Sequence, residues 1–185
     1  SKSRFYDFDV TSSKKIVVMD RHTGETIWSR NSNLGFRHSA IAVGDDKLFC
    51  IDKIPPMIAD TLRRRSGKYP FETPKLMALN MRTGKVVWDT TKNVFGTWLG
   101  YSEEYDTLLQ ARRDTRDMVK GEPGKKMAAC SGKGGVVRWI KDISSAGVNI
   151  LHRDTIITDN YAYNLLTGER KKRVDPLTGN QASWA

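Results

Sequence analysis

Ala78-Leu-Asn80-Met-Arg-Thr83-Gly84-Lys-Val-Val-Trp88 decides how this chain is read, because the pattern recurs. Val18-Met-Asp20-Arg-His-Thr23-Gly24-Glu-Thr-Ile-Trp28 matches it in register, 88 − 28 = 60 residues earlier. Ala129-Cys-Ser131-Gly-Lys-Gly134-Gly135-Val-Val-Arg-Trp139 is a weaker third copy. Ala162-Tyr-Asn164-Leu-Leu-Thr167-Gly168-Glu-Arg-Lys-Lys172 is a fourth, with Lys172 in place of the tryptophan. Self-similarity at such a period is the mark of a repeat architecture.

The copies have a physical reading. Ile16 to Asp20 and Lys75 to Asn80 are short β-prone runs that end at a polar turn. An Asp or Asn there accepts backbone N–H bonds and caps the turn, and the Thr adds a hydroxyl contact. Gly24, Gly84, Gly135 and Gly168 supply the positive φ of a tight reversal. The strand that follows, such as Val86-Val87-Trp88, pairs back and ends in an aromatic that packs on a neighbouring sheet.

A second unit lies between the copies. Ser39 to Val43 is followed by a Gly-Asp-Asp turn and then Lys47 to Ile51. Trp98 to Ser102 precedes Leu108 to Ala111, and Asn149 to His152 precedes Ile156 to Thr158. Asp46, Asp106 and Asp154 stand just before the second strand of each pair. Each full unit is therefore four strands. The expected fold is all-β, a β-propeller portion of about four blades, each a four-stranded antiparallel sheet. The approximate blades are 1–30 (incomplete), 31–90, 91–140 and 141–185. Phe5 to Val10 reads as one further strand. The stretches 53–74 and 112–126 read as basic rim loops between second and third strands, with a short helix around 57–65.

Composition sets limits. The chain has 185 residues, 38% hydrophobic and 28% charged, which fits a globular domain rather than a disordered segment. Lys plus Arg is 31 against 21 Asp plus Glu, a net charge of +10. No apolar run is long enough for a transmembrane helix. Cys50 and Cys130 cannot build a disulfide scaffold or a zinc site of the usual kind, and both read as small buried residues.

The Asp-x-x-Thr-Gly-x-x-x-Trp pattern resembles the tryptophan-docking motif of the PQQ-like, or quinoprotein alcohol dehydrogenase-like, β-propeller repeats. That family includes enzymes and non-enzymatic propellers, among them the lipoprotein propeller of the outer-membrane assembly machinery. The resemblance implies a ring of about eight blades, each Trp stacked on the next blade, and a bacterial periplasmic or cell-envelope location. It implies no activity here. The family's dehydrogenases place a Cys-Cys pair against the quinone, whereas Cys50 and Cys130 stand apart. The calcium ligands and the catalytic Asp of those enzymes map onto no residue of this sequence.

Four blades leave two open sheet edges, a liability in solution. The chain is then a fragment of a longer propeller, or two copies close one ring, or partners cover the ends; the reading favours a fragment. Ser1-Lys-Ser-Arg has no apolar stretch behind it, so no signal peptide is expected in this chain.

Arg37, His38 and Trp98 are the candidate binding residues, expected at the rim of the axial channel. They would offer a cation, a titratable ring and a stacking face. No catalytic and no metal-binding residues are assigned. His152 with Asp154 suggests acid–base chemistry, yet Asp154 has turn equivalents in Asp46 and Asp106. Gly132-Lys-Gly-Gly135 lacks the rest of a phosphate loop and reads as a turn. The basic runs Leu62-Arg-Arg-Arg65 and Arg170-Lys-Lys-Arg173 have no interleaved aromatics, so nucleic acid is a weak expectation. The leading reading is a binding or scaffolding propeller with no chemistry of its own, serving a protein partner. The alternatives are a PQQ- and calcium-dependent dehydrogenase fragment and a binder of nucleic acid or anionic surfaces.

Overall fold

A computed structural model describes residues 12–54, 59, 64, 73–111, 125–145, 149–159 and 161–182. Every element among them of two residues or more is a strand. The first is β1 (Ser12–Met19), followed by the long β2 (Thr26–Gly44), β3 (Lys47–Asp52), β4 (Lys75–Asn80) and β5 (Val86–Thr90). Then come β6 (Trp98–Ser102), β7 (Thr107–Ala111), β8 (Met127–Ser131) and β9 (Val137–Lys141). The last are β10 (Ile150–His152), β11 (Thr155–Ile157), β12 (Ala162–Asn164), β13 (Arg170–Lys171), β14 (Arg173–Val174) and β15 (Gln181–Ala182). The expected strand at Phe5 to Val10 lies outside the described residues, and so do both rim loops apart from their ends (53–54, 73–74 and 125–126) and Ala59 and Arg64, which are helical.

The strands form antiparallel sheets in chain order. β6-β7-β8-β9 and β10-β11-β12-β13 are four-stranded, and β14-β15 is a separate hairpin. The first sheet is five-stranded, β1-β2-β3-β4-β5, because β2 serves two purposes. Its first part pairs with β1, and Ile41 to Gly44 pairs with Lys47 to Cys50 of β3. β2 therefore runs from the outer strand of one hairpin into the inner strand of the next sheet. Of the inner strands, β6 adjoins both β2 and β10.

Apolar residues fill the spaces between successive sheets. Ala40, Phe49, Ile51, Leu76 and Ala78 pack on Leu99, Leu108 and Cys130. Leu109, Ala129 and Trp139 pack on Ile156 and Leu165. Ile16 and Phe36 pack on Cys50, Met77 and Leu79. Strands buried on both faces, such as Leu48 to Asp52, read as continuous apolar runs for this reason.

The turns obey the sequence reading. Asp20 Oδ1 accepts the N–H groups of His22 and Thr23 at 2.8 and 2.9 Å. Asn80 Oδ1 does the same for Arg82 and Thr83, and Asn164 Oδ1 for Leu166 and Thr167. Ser131 Oγ takes that place for Lys133 and Gly134, and Asp175 repeats the Asx arrangement with Leu177 and Thr178 in a fifth turn. Gly84 has φ +68°, and a Cβ built there would lie 2.7 Å from the Trp28 ring. Gly84→Val therefore meets both backbone strain and an indole. It should lower the urea midpoint sharply, by a margin worth about 2–4 kcal/mol. A midpoint unchanged from wild type would contradict this packing.

Candidate functional site

Two ends of the sheets carry the polar groups. At one end lie the hairpin turns, where the backbone N–H and C=O of a single residue tie its turn to the preceding hairpin. The N–H of Met81 donates to Asp46 C=O at 2.8 Å within its own sheet. The Met81 carbonyl accepts Trp28 Nε1–H of the preceding hairpin at 2.7 Å. Gly132 repeats this, with its N–H on Asp106 and its carbonyl under Trp88 Nε1 at 2.8 Å. Leu165 does so again, with Asp154 and Trp139. The Asp before each second strand thus locks the turn through its backbone carbonyl. Its side chain adds local bonds: Asp106 accepts Ser131 Oγ–H and Tyr101 O–H.

Each Trp is aimed by a one-residue bulge. The register shifts between Val18 and Met19, Ala78 and Leu79, and Ala129 and Cys130. The extra residues are Ile27, Val87 and Arg138, each directly before its tryptophan. The fourth hairpin has no such shift, so Lys171 stands opposite Ala162, where the others carry Trp. Sequence alignment carries the bulged spacing of the other hairpins over and puts Lys172 there instead. Lys171 turns back onto its own sheet, at 2.6 Å from Asp154 Oδ1 and from Thr155 Oγ1. The Lys171 bond first, and then the Thr155 hydroxyl that donates to the same carboxylate at 3.0 Å, hold the Asp154 carboxyl below its usual range. They give Asp154 the structural role expected of a turn residue. His152 is exposed.

At the opposite ends of the strands, buried polar residues hold the segments that enter the inner strands. Asp52 is 4% exposed, and its carboxylate accepts the N–H groups of Asn33, Leu34 and Gly35 at 2.7, 2.8 and 2.7 Å. Gln110 serves the next sheet, accepting from Phe95 N–H and donating to Asn93 C=O. The candidate rim residues lie here. Arg37 is 1% exposed and belongs to the interior. His38 is exposed, and its Nε2 lies 2.9 Å from Ser13 Oγ. Trp98 packs with Leu109, Ala111 and Trp139 between the second and third sheets. Asp52 and Gln110 carry the geometry at this end, and sequence reading missed both. The signal was a polar residue at the end of an otherwise apolar strand.

The two cysteines are separate, buried and free. Burial pushes each thiol up to about 12, so neither is a thiolate nucleophile at neutral pH. A Cys-Cys disulfide against a quinone does not fit these residues. Of the second basic run, Arg170 lies 3.7 Å over the Tyr161 ring and Lys171 is held by Asp154. The first run lies outside the described residues except Arg64.

Two turn carboxylates make a testable pH signature. Asp20 and Asp175 are held below their usual range, chiefly by backbone N–H bonds. A depressed folded-state value means the stabilisation is present at neutral pH and disappears as pH falls through it. The melting temperature should stay level from pH 7 to 5 and drop below about pH 4. Asp20→Asn keeps the acceptor oxygen, as Asn80 and Asn164 show at equivalent positions. It should melt like wild type at pH 7 and lose less on acidification. An equal acid loss in the variant would count against this origin.

With the geometry in view, comparison with solved structures is informative about fold. BamB from Moraxella catarrhalis matches with a TM-score of 0.57 at 14% identity, over 94% of this chain and 51% of that one. Europium-containing methanol dehydrogenase matches at 0.55 and 14% identity, over 86% of this chain and 38% of that one. The computationally designed Ika8 protein matches at 0.54 and 10% identity, over 86% of this chain and 42% of that one. The chain has the β-propeller fold. Its sheets are blades, and it spans about half or less of these neighbours' length. No family model and no curated protein sequence matches the chain. Among the described residues no helix is long and apolar enough to cross a membrane, and no group of three or more His, Cys, Asp or Glu residues could hold a metal ion.

Proposed function

We propose that this chain is the scaffolding part of a binding propeller with no chemistry of its own, working in the cell envelope through a protein partner or further blades. The observation that carries the reading is the use made of its polar groups. Asp52, Gln110, Asp106 and Asp154 are each committed to holding backbone or a neighbouring side chain. Groups tied into the scaffold in this way suit rigid presentation of rims rather than proton transfer. Fold alone does not settle the matter, because propellers of one architecture include enzymes.

The test is a titration with PQQ and calcium, followed by fluorescence, together with dye reduction in the presence of alcohols. The expected outcome is neither saturable 1:1 binding nor turnover. Calcium-dependent binding with dye reduction would replace this reading with a quinoprotein dehydrogenase fragment.

A further inference from the structure

Charge is divided between the two ends of the sheets. The turns at 20–25, 45–46, 80–85, 103–106, 131–136, 153–154 and 164–169 hold five Lys or Arg against nine Asp or Glu. The chain as a whole carries +10, so its positive excess lies elsewhere. Cations near the turn end also have partners. Lys47 pairs with Asp45 at 2.6 Å, Arg82 with Asp46 at 3.9 Å and Lys171 with Asp154 at 2.6 Å. A cation paired in this way adds little to the field outside the protein.

The opposite end differs. Gln110 there holds the crossing into the second blade, accepting Phe95 N–H at 3.3 Å and donating to Asn93 C=O at 2.9 Å. Lys92 precedes Asn93, and Lys125 and Lys126 precede Met127, which pairs with Ala111 next to Gln110. Three lysines therefore flank one crossing. Lys92 and Lys125 are exposed, and Lys126 lies 5.4 Å over the Phe95 ring. Lys14 and Lys15, both exposed, flank the other crossing, where Ser32 Oγ–H donates to Lys14 C=O at 3.2 Å. Among the described residues none of these five has a carboxylate partner. Arg37 and Lys53 are buried and belong to the interior. The acids of this end are mostly committed or outlying. Asp52 holds backbone N–H groups, Asp89 pairs with Lys75 at 3.2 Å, and Asp159 lies between β11 and β12 of the third blade. Asp142, one residue past the Met127–Lys141 pair, is the exposed carboxylate that register places nearest Lys126.

We propose that the surface carrying Lys92, Lys125 and Lys126, extended by Lys14 and Lys15, is the docking surface for an acidic, extended segment of a partner protein. Like charges gathered at one end repel one another in the free protein. A segment of spaced carboxylates relieves that repulsion. Flexible ammonium groups meet carboxylates as point charges, without demanding one bidentate geometry. The aromatic ring of this surface, Phe95, is 5% exposed beneath Lys126. Among the described residues the surface therefore presents neither a platform for stacking bases nor an apolar wedge for a bilayer, which favours a peptide over single-stranded nucleic acid or lipid. This identification rests on the binding reading above and names the chemistry of its partner.

The experiment uses the full chain, isotope-labelled, and a synthetic peptide of alternating Glu and Ser. Titration at low salt should shift the amides of Asn93, Lys125 and Lys126 together and saturably, while those of Arg82 and Lys133 at the turn end stay in place. Added salt should weaken the binding steadily. Lys92→Glu combined with Lys125→Glu, both at exposed positions, should weaken it about tenfold or more. Lys85→Glu combined with Lys133→Glu, exposed at the turn end, changes the net charge equally and should leave the affinity nearly unchanged. Equal losses in the two double variants overturn the proposal, because binding then follows net charge rather than this surface. Binding indifferent to salt overturns it too, as does the absence of a saturable shift at these amides. Vesicles of anionic phospholipid and a DNA duplex are titrated alongside. Tighter binding of either, lost in the Lys92→Glu, Lys125→Glu variant, overturns the peptide assignment in favour of that ligand. None of these outcomes touches the PQQ titration, so the scaffolding reading is judged separately.

Discussion

Trp88→Ala should destabilise the protein by about 3 kcal/mol or more, within the ~3–5 kcal/mol range for large aromatic truncations. Three contacts are lost together. The indole N–H loses its 2.8 Å bond to Gly132 C=O across the blade junction. The ring leaves the glycine seat at Gly135, where a Cβ would stand 2.8 Å from it. It also leaves Phe49, whose ring centroid is 6.1 Å away at 43°. No neighbour can collapse into the space, because the seat is backbone on one side and a bulged strand on the other. Trp88→Phe separates the terms. It keeps part of the ring and loses the hydrogen bond, so it should cost roughly 1 kcal/mol for that bond plus a smaller packing loss. Urea unfolding of both variants checks the ranking. Equal costs for the two substitutions would show that ring volume at this junction does not matter.

Why this clasp could be foreseen, and other features could not, follows from where the information sits. Asp20, Thr23, Gly24 and Trp28 lie within nine residues of one another, so turn chemistry and spacing expose the hairpin directly. The paired inner strands were legible for the same reason, since Gly44-Asp45-Asp46-Lys47 is a turn signal between two apolar runs. Asp45 and Asp46 both have positive φ, at 50° and 53°, as a tight two-residue reversal demands. Bulges are harder to see. Ile27, Val87 and Arg138 share no residue type, and only the register across the hairpin reveals them. Lys171 rather than Lys172 at the tryptophan position followed from the same blind spot.

Long-range polar contacts were also hidden. Arg37, His38 and Trp98 are adjacent in an alignment of strand starts, yet alternate side chains of a strand point to opposite faces. Arg37 goes inward, His38 outward to Ser13, and Trp98 into the next blade junction. Asp175 to Gly179 is a different case. The Asp-x-x-Thr-Gly signature is present, and the turn forms, but only eleven residues after Asn164, too few for another blade. A local motif specifies a turn; the distance between motifs specifies what the turn belongs to.

Asp52→Ala should be as severe as any core truncation in the chain, although it removes no apolar surface. The carboxylate is the shared acceptor for three consecutive N–H groups, and two of those bonds are buried. Removing it leaves these donors without partners in a region closed to water. An unsatisfied buried donor costs about 1–3 kcal/mol, so a total of at least ~3 kcal/mol is expected. The segment concerned is where β2 passes from one hairpin into the next blade, so the loss should be local first. Amide exchange at Asn33, Leu34 and Gly35 should accelerate well before global unfolding. Lys53 N–H, which donates to Gly35 C=O at 2.9 Å, should follow, while Leu108 and Ala129 in the second blade keep their protection. Asp52→Asn is the discriminating partner. Its carbonyl can still serve Leu34 and Gly35, but its amide then faces the Asn33 N–H donor to donor. Its cost should fall between wild type and alanine, with Asn33 exchanging fastest of the three. If both variants leave exchange at 33–35 unchanged, Asp52 does not hold this crossing, and the inner strand of the first blade is positioned by packing alone.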